Sequence, residues 1–138
     1  MKDIAFHITD IVENSLKAGA GRVGITLVAA GAKLVLTFTD DGCGMDPETI
    51  EKATNPFYTT RTTRKVGLGL PFLIQNAEQC GGSVNVRSKP GEGTVVEAVF
   101  MTDNIDCPPL GELAGTVTMI MTGNPQVNTV FEVSDGVD

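Results

Sequence analysis

Cysteine and histidine are scarce in this chain, with three cysteines and a single histidine among 138 residues. Cys43, Cys80 and Cys107 are odd in number, widely spaced and without C-x-x-C spacing. They therefore read as reduced thiols, not as a disulfide framework or a zinc site. Basic residues are also in the minority, 10 against 17 acidic ones, for a net charge of −7. That deficit argues against broad nucleic-acid or anionic-membrane binding, while leaving room for a local positive pocket. No uninterrupted apolar run reaches the length of a membrane span. The N-terminal stretch carries Asp3, Asp10 and Glu13 where a signal peptide would have an apolar core. The expectation is a cytoplasmic domain that takes neither a membrane nor a nucleic acid as partner. No internal repeat or low-complexity linker interrupts the chain, and 41% hydrophobic residues suit one globular domain with a substantial core.

Two nucleotide signatures are missing as well. A P-loop needs G-x-x-x-x-G-K-[ST], which does not occur, and a dinucleotide fingerprint needs glycines that follow a strand. Here Gly67-Leu68-Gly69 follows the polar stretch from Asn55 to Val66, which lacks periodicity and reads as a loop.

What is present has clear order. Ile4, Ile8, Ile11, Ser15 and Ala18 recur at helical spacing from Asp3 to Ala18, with Ser15 as a small member of the stripe and Gly19 and Gly21 as the stop. His7, Asp10 and Asn14 line an adjoining face, either a helix flank in water or a pocket wall. His7 by itself reads as an ordinary surface or hydrogen-bonding histidine. Val23–Val28 and Lys33–Thr39 predict an antiparallel hairpin that runs into Asp40-Asp41-Gly42-Cys43-Gly44-Met45. Asp46 caps a short helix starting at Pro47 and Glu48. Leu70, Leu73 and Ala77 mark a second long helix ended by Gly81-Gly82. Strands over Ser83–Ser88 and Thr94–Phe100 follow, joined by Pro90-Gly91-Glu92-Gly93.

In the tail, Asp106-Cys107-Pro108-Pro109 resembles a helix cap and start, with Leu110, Leu113, Val117 and Ile120 continuing at helical spacing. The β-branched run around Thr116–Thr118 keeps a strand open as the alternative there, and Gln126–Ser134 alternates as a strand. Residues 1–100 are thus expected to form the core, with 101–138 a helix-and-strand extension of the same domain. The simplest packing is a two-layer α/β sandwich, helices covering one face of a mixed, largely antiparallel sheet.

The segment Arg61 to Leu70, RTTRKVGLGL, places a glycine pair at a helix start, where backbone N–H groups and the helix dipole favour an anion. Arg61, Arg64 and Lys65 add positive charge. Glycines before a helix are also common hinges, so this feature alone decides little.

Four motifs in succession decide more: DIVEN at Asp10–Asn14, DDGCGM at Asp40–Met45, NPFYTTR through VGLGL at Asn55–Leu70, and GEGT at Gly91–Thr94. Over the first hundred residues or so the sequence resembles the Bergerat-fold ATPases, the superfamily of sensor histidine kinases, type II topoisomerases, heat-shock chaperones and mismatch-repair proteins. The later motifs are most similar to histidine kinase catalytic domains, the first two also to the mismatch-repair branch. The resemblance implies ATP and Mg²⁺ as cofactors. It assigns Asn14 to Mg²⁺, Asp40 to the adenine amino group, Gly42 and Gly44 to close approach of the base, and Thr94 to adenine through water. Gly67, Leu68 and Gly69, with Arg61 and Lys65, fall to the phosphates under a loop that acts as lid.

Two departures bear on activity. Asp10 stands where hydrolytic members carry Glu, one methylene shorter as a candidate general base. Lys65 replaces the first glycine of the G-x-G-L-G box, either as a phosphate contact or as a stiffener of the loop. No helical segment with a phosphoaccepting histidine is expected before the Asn14 helix, and His7 is no substitute. The expectation is a kinase-like ATPase acting on a separate protein partner, with a non-catalytic ATP-dependent sensor or adaptor as the alternative.

Overall fold

The structure, a computed structural model, describes residues 3–54, 69–104, 107, 109 and 111–134. Helix α1 (Ile4–Lys17) begins where Asp3 Oδ1 accepts the Phe6 N–H at 2.7 Å, a side-chain cap for an otherwise orphaned donor. Of its expected stripe, Ile4, Ile8, Ile11 and Ser15 are buried against the core, while Ala18 is half-buried as the C-cap. Strands β1 (Arg22–Ala30) and β2 (Lys33–Asp40) form the predicted antiparallel hairpin, with Ile25 opposite Phe38 and Leu27 opposite Leu36. Alternation sends Val23, Ile25 and Leu27 to the same buried face as Leu34, Leu36 and Phe38.

Helix α2 (Pro47–Thr54) is capped by Asp46, whose Oδ1 accepts the Thr49 N–H at 2.8 Å. Helix α3 (Gly69–Gln79) buries Leu70, Leu73 and Ala77, the residues whose spacing predicted it. Strands β3 (Ser83–Lys89) and β4 (Gly93–Met101) make the second hairpin, and β4 lies antiparallel to β2. Helix α4 (Leu113–Gly123) leads to β5 (Asn128–Ser134), which runs parallel to β1. The sheet order is β3-β4-β2-β1-β5, antiparallel except for its last pair. Helices cover the face that carries Leu36, Val96, Ala98 and Phe100, so the architecture is the expected two-layer sandwich. Each fully buried Ile, Leu or Phe there contributes roughly 1.5–3 kcal/mol.

One expectation fails at the tail. The helix starts at Leu113 with Glu112 as its cap, not at the Cys107–Pro109 segment. That segment is used otherwise: the Pro109 carbonyl accepts the Ile4 N–H at 2.8 Å, so it helps to cap α1. Asp106, Pro108 and Leu110 lie outside the described residues. From there on the tail joins the same core, with Leu113, Ile120, Val127 and Phe131 packed against it.

None of the three cysteines is in a disulfide. Burial, with Cys80 beside it, pushes the Cys107 thiol up from its ordinary value. Among the described residues, no helix is long and apolar enough to cross a membrane.

Candidate functional site

A cavity of about 780 Å³ opens between α1, α2, the head of α3 and the ends of β2 and β4. Asn14, Ser15 and Lys17 reach it from α1, Asp40 from the end of β2, Gly44 from the loop after it, and Thr94 from β4. Ile11, Met45, Leu70 and Val96 supply apolar walls. The volume and the mix of apolar lining with a few convergent polar groups suit a nucleotide-sized ligand.

Asp40 is the most constrained of these side chains. Ser15 Oγ–H donates to its Oδ2 at 2.6 Å and the Gly42 N–H donates to its Oδ1 at 2.9 Å. Each oxygen keeps lone-pair capacity, so the carboxylate is held in place yet can still accept a hydrogen bond from a ligand. Its neighbour Asp41 turns the other way. Asp41 Oδ1 accepts the Gly21 and Arg22 N–H groups at 2.8 and 2.9 Å, and these donors hold its carboxyl below the usual range.

The two glycines of DDGCGM have different tasks. Gly44 lines the cavity with φ of +73°, and a Cβ there would collide with the Lys89 carbonyl. Gly42 does not line it. A Cβ on Gly42 would come within 3.0 Å of the Ala18 carbonyl at the end of α1, so close packing there favours glycine, while its N–H, which any residue but proline would offer, anchors Asp40. Behind Gly44, the Gly91 N–H donates to the Cys43 carbonyl at 2.7 Å, and the Met45 N–H donates to Ser88 Oγ at 2.8 Å. The hairpin β3–β4 is thereby tied to the loop. Thr94 is the cross-strand partner of Asp40, which brings two residues 54 positions apart into one wall.

The residues of the helix face part company. Asn14 lines the cavity, whereas Asp10, half-buried one turn earlier, does not. His7 is buried, so of its two readings the hydrogen-bonding one holds and the surface one fails. Its Nε2 lies 2.7 Å from Asn76 Nδ2 on α3, and burial pushes the imidazole down to about 4 against the opposing pull of Asp3. Gly69 heads α3, whose Leu70 lines the cavity, and Arg61, Lys65, Gly67 and Leu68 lie outside the described residues. Sequence reasoning missed Ser15 and Lys17. A hydroxyl within an apolar stripe was the available signal for Ser15, whereas an exposed lysine at a helix end carries none.

For Mg²⁺ the fit rests on Asn14, whose side chain offers an oxygen at the cavity wall. Among the described residues no group of three or more His, Cys, Asp or Glu gathers to hold a metal. A cation bound through ligand phosphates, water and one protein oxygen requires no such cluster.

A mixed sheet under one layer of helices, with a cavity bounded by the Asn14 helix, the DDGCGM loop and the head of α3, defines a Bergerat fold. Residues 3–104 match the family model described as histidine kinase-, DNA gyrase B-, and HSP90-like ATPase, and the chain belongs to that family. A putative sensor protein of Shewanella frigidimarina is 30% identical over 67% of this chain and 15% of its own length. Sensor histidine kinase YxdK of Bacillus subtilis is 30% identical over 73% of this chain and 33% of its own. Sensor protein kinase FleS of Pseudomonas aeruginosa is 38% identical over 67% of this chain and 23% of its own. The matched region thus spans a third or less of these relatives. The Aquifex aeolicus MutL ATPase domain complexed with ADP shares the fold, with a TM-score of 0.63, 17% identity, and coverage of 96% of this chain and 60% of that one.

Proposed function

We propose that the chain binds ATP with Mg²⁺ and uses it to phosphorylate a separate protein partner. The observation that supports this most is the Asp40 carboxylate, anchored from behind by Ser15 and Gly42 and facing a nucleotide-sized cavity. In this reading Asp40 accepts the exocyclic amine of adenine, and Gly44 lets the base edge approach the chain. Ile11, Met45, Leu70 and Val96 exclude water from its faces. Asn14 holds Mg²⁺ through its side-chain oxygen, and Lys17 offsets phosphate charge. Gly69 heads α3, and Arg61, Lys65, Gly67 and Leu68 before it in sequence are assigned with it to the phosphates. The bound nucleotide supplies the activated phosphoryl group, and the protein's contribution is positioning and charge neutralisation. Relatives named as sensor kinases support a phosphoaccepting protein as partner.

A second reading, an ATP-dependent sensor or adaptor that switches its partner without catalysis, is favoured by Asp10. That carboxylate is short and does not line the cavity. Calorimetry and phosphate release test both readings. Wild-type protein should bind ATP in a Mg²⁺-dependent way, and Asn14→Ala should lose that dependence while remaining folded; unchanged affinity removes Asn14 from the site. If Asp10 activates water, Asp10→Asn should cut hydrolysis with affinity within a few-fold of wild type. Equal, near-background rates for both proteins leave Asp10 without a general-base role.

A further inference from the structure

Ser88 sits on β3, one residue from the strand's end, and does not itself line the cavity, yet three contacts converge on its hydroxyl. The Met45 N–H donates to Ser88 Oγ at 2.8 Å. Gly93 O lies at 2.8 Å, and Thr94 Oγ1 also at 2.8 Å. A serine hydroxyl has one proton and two lone pairs. A carbonyl oxygen can only accept, so the single Ser88 proton belongs to Gly93 O. One lone pair takes the Met45 N–H. What remains for Thr94 is the other lone pair, so Thr94 must be the donor in that contact.

The consequence reaches the cavity. With its proton committed to Ser88, Thr94 Oγ1 presents only lone pairs to the space it lines. Its cross-strand partner Asp40 also presents only lone pairs, because Ser15 and the Gly42 N–H donate to it from behind. Two acceptors then stand side by side on that wall. A base that places an amino group here is matched, whereas one that places a carbonyl sets acceptor against acceptor.

We propose that Ser88 is a positioning residue for base selection: it holds Thr94 as an acceptor beside Asp40, so that this wall prefers a 6-amino over a 6-oxo purine nucleotide. The proposal rests on the ATP reading above, in which Asp40 already has its part. What it adds is that discrimination is shared with Thr94 and set by a residue outside the cavity. Removing Ser88 frees the Thr94 hydroxyl to turn its proton toward the ligand, where it can serve a 6-oxo group.

The test is equilibrium binding of Mg-ATP and Mg-ITP to the full chain, with the ratio of affinities as the readout. Wild type should favour ATP. In Ser88→Ala the ratio should fall by about fivefold or more, the size of one hydrogen-bond preference. Ser88→Thr, which keeps the hydroxyl, should restore it. Thr94→Val removes the acceptor while sparing the contacts of Ser88 to Met45 and Gly93, and should lower the ratio even if Ser88→Ala folds poorly. A purely structural Ser88 would weaken both nucleotides in parallel; an unchanged ratio in Ser88→Ala, or in Thr94→Val, overturns the proposal alone. Binding of neither nucleotide by wild type overturns the ATP reading and this proposal with it.

Discussion

Helix α1 buries two polar side chains, His7 and Ser15, about two turns apart on the side facing the core. Ser15 donates to Asp40, a charged acceptor whose remaining capacity opens on the cavity. His7 meets Asn76 through Nε2, while its Nδ1 has no partner among the described residues. One helix therefore spends its two buried polar positions differently. Ser15 completes a network that has an outlet toward ligand. His7 closes the α1–α3 contact and leaves its Nδ1 buried and unsatisfied, which costs stability in the neutral ring and more in the charged one. Burial of a polar group is thus no sign of function by itself; what its partner's spare hydrogen-bonding capacity faces is.

The largest effect should come from removing the partner on the functional side. Asp40→Ala strands the Ser15 hydroxyl and the Gly42 N–H and deletes the proposed base acceptor. ATP affinity should fall at least about 100-fold, near 3 kcal/mol, by calorimetry. A loss below threefold would break the contrast, since Asp40 would then be as structural as Asn76.

On the other side of the comparison the readout is pH. The folded His7 ring titrates at about 4, below its ordinary 6.5, because burial disfavours its charged form. A depressed folded pKa means the unfolded chain binds the proton first as pH falls. Stability attributable to His7 is therefore complete above 6.5 and declines between 6.5 and about 4, by up to roughly 1.4 kcal/mol per pH unit. Asp41 and Asp46 have carboxyls lowered by backbone N–H donors, so their losses begin only in the carboxylate range. Urea midpoints from pH 7 to 5 should slope downward for wild type and stay nearly flat for His7→Leu. Parallel slopes would show that the buried ring is not the source.

The smallest effect sharpens the contrast. Ser15→Ala removes one of two donors that orient Asp40 and leaves the carboxylate in place. ATP should bind about five- to tenfold more weakly, near 1 kcal/mol, with the thermal midpoint little changed. A shift in stability with no change in affinity would place Ser15 in the same structural class as His7.

The elements were legible because their signals are local. The stripe of α1, the alternation of β1 and β2, the Asp46 cap and the leucine spacing of α3 all involve residues within one or two turns of each other. The start of α4 was misplaced because the proline-rich segment before it answers to a distant partner, Ile4, not to its own helix. His7 was misplaced for the same kind of reason. Periodicity put it on the flank with Asp10 and Asn14, and only α3 packing over that flank buries it.

The site divides along this line. Motif order in the sequence was enough to nominate Asn14, Asp40, Gly44 and Thr94, which the fold gathers on one cavity. It also nominated Gly42 and Asp10, which lie beside that cavity. Residue types and chain order determine which elements form and which chemistry is on offer, because propensity and hydrophobic period act over a few residues. Which hydroxyl holds Asp40, why Asp41 faces away and that Ser88 meets Thr94 were decided only by tertiary structure. Hydrogen-bond direction depends on which donors and acceptors converge within 3 Å, and sheet register and helix packing bring those together from positions far apart in the chain.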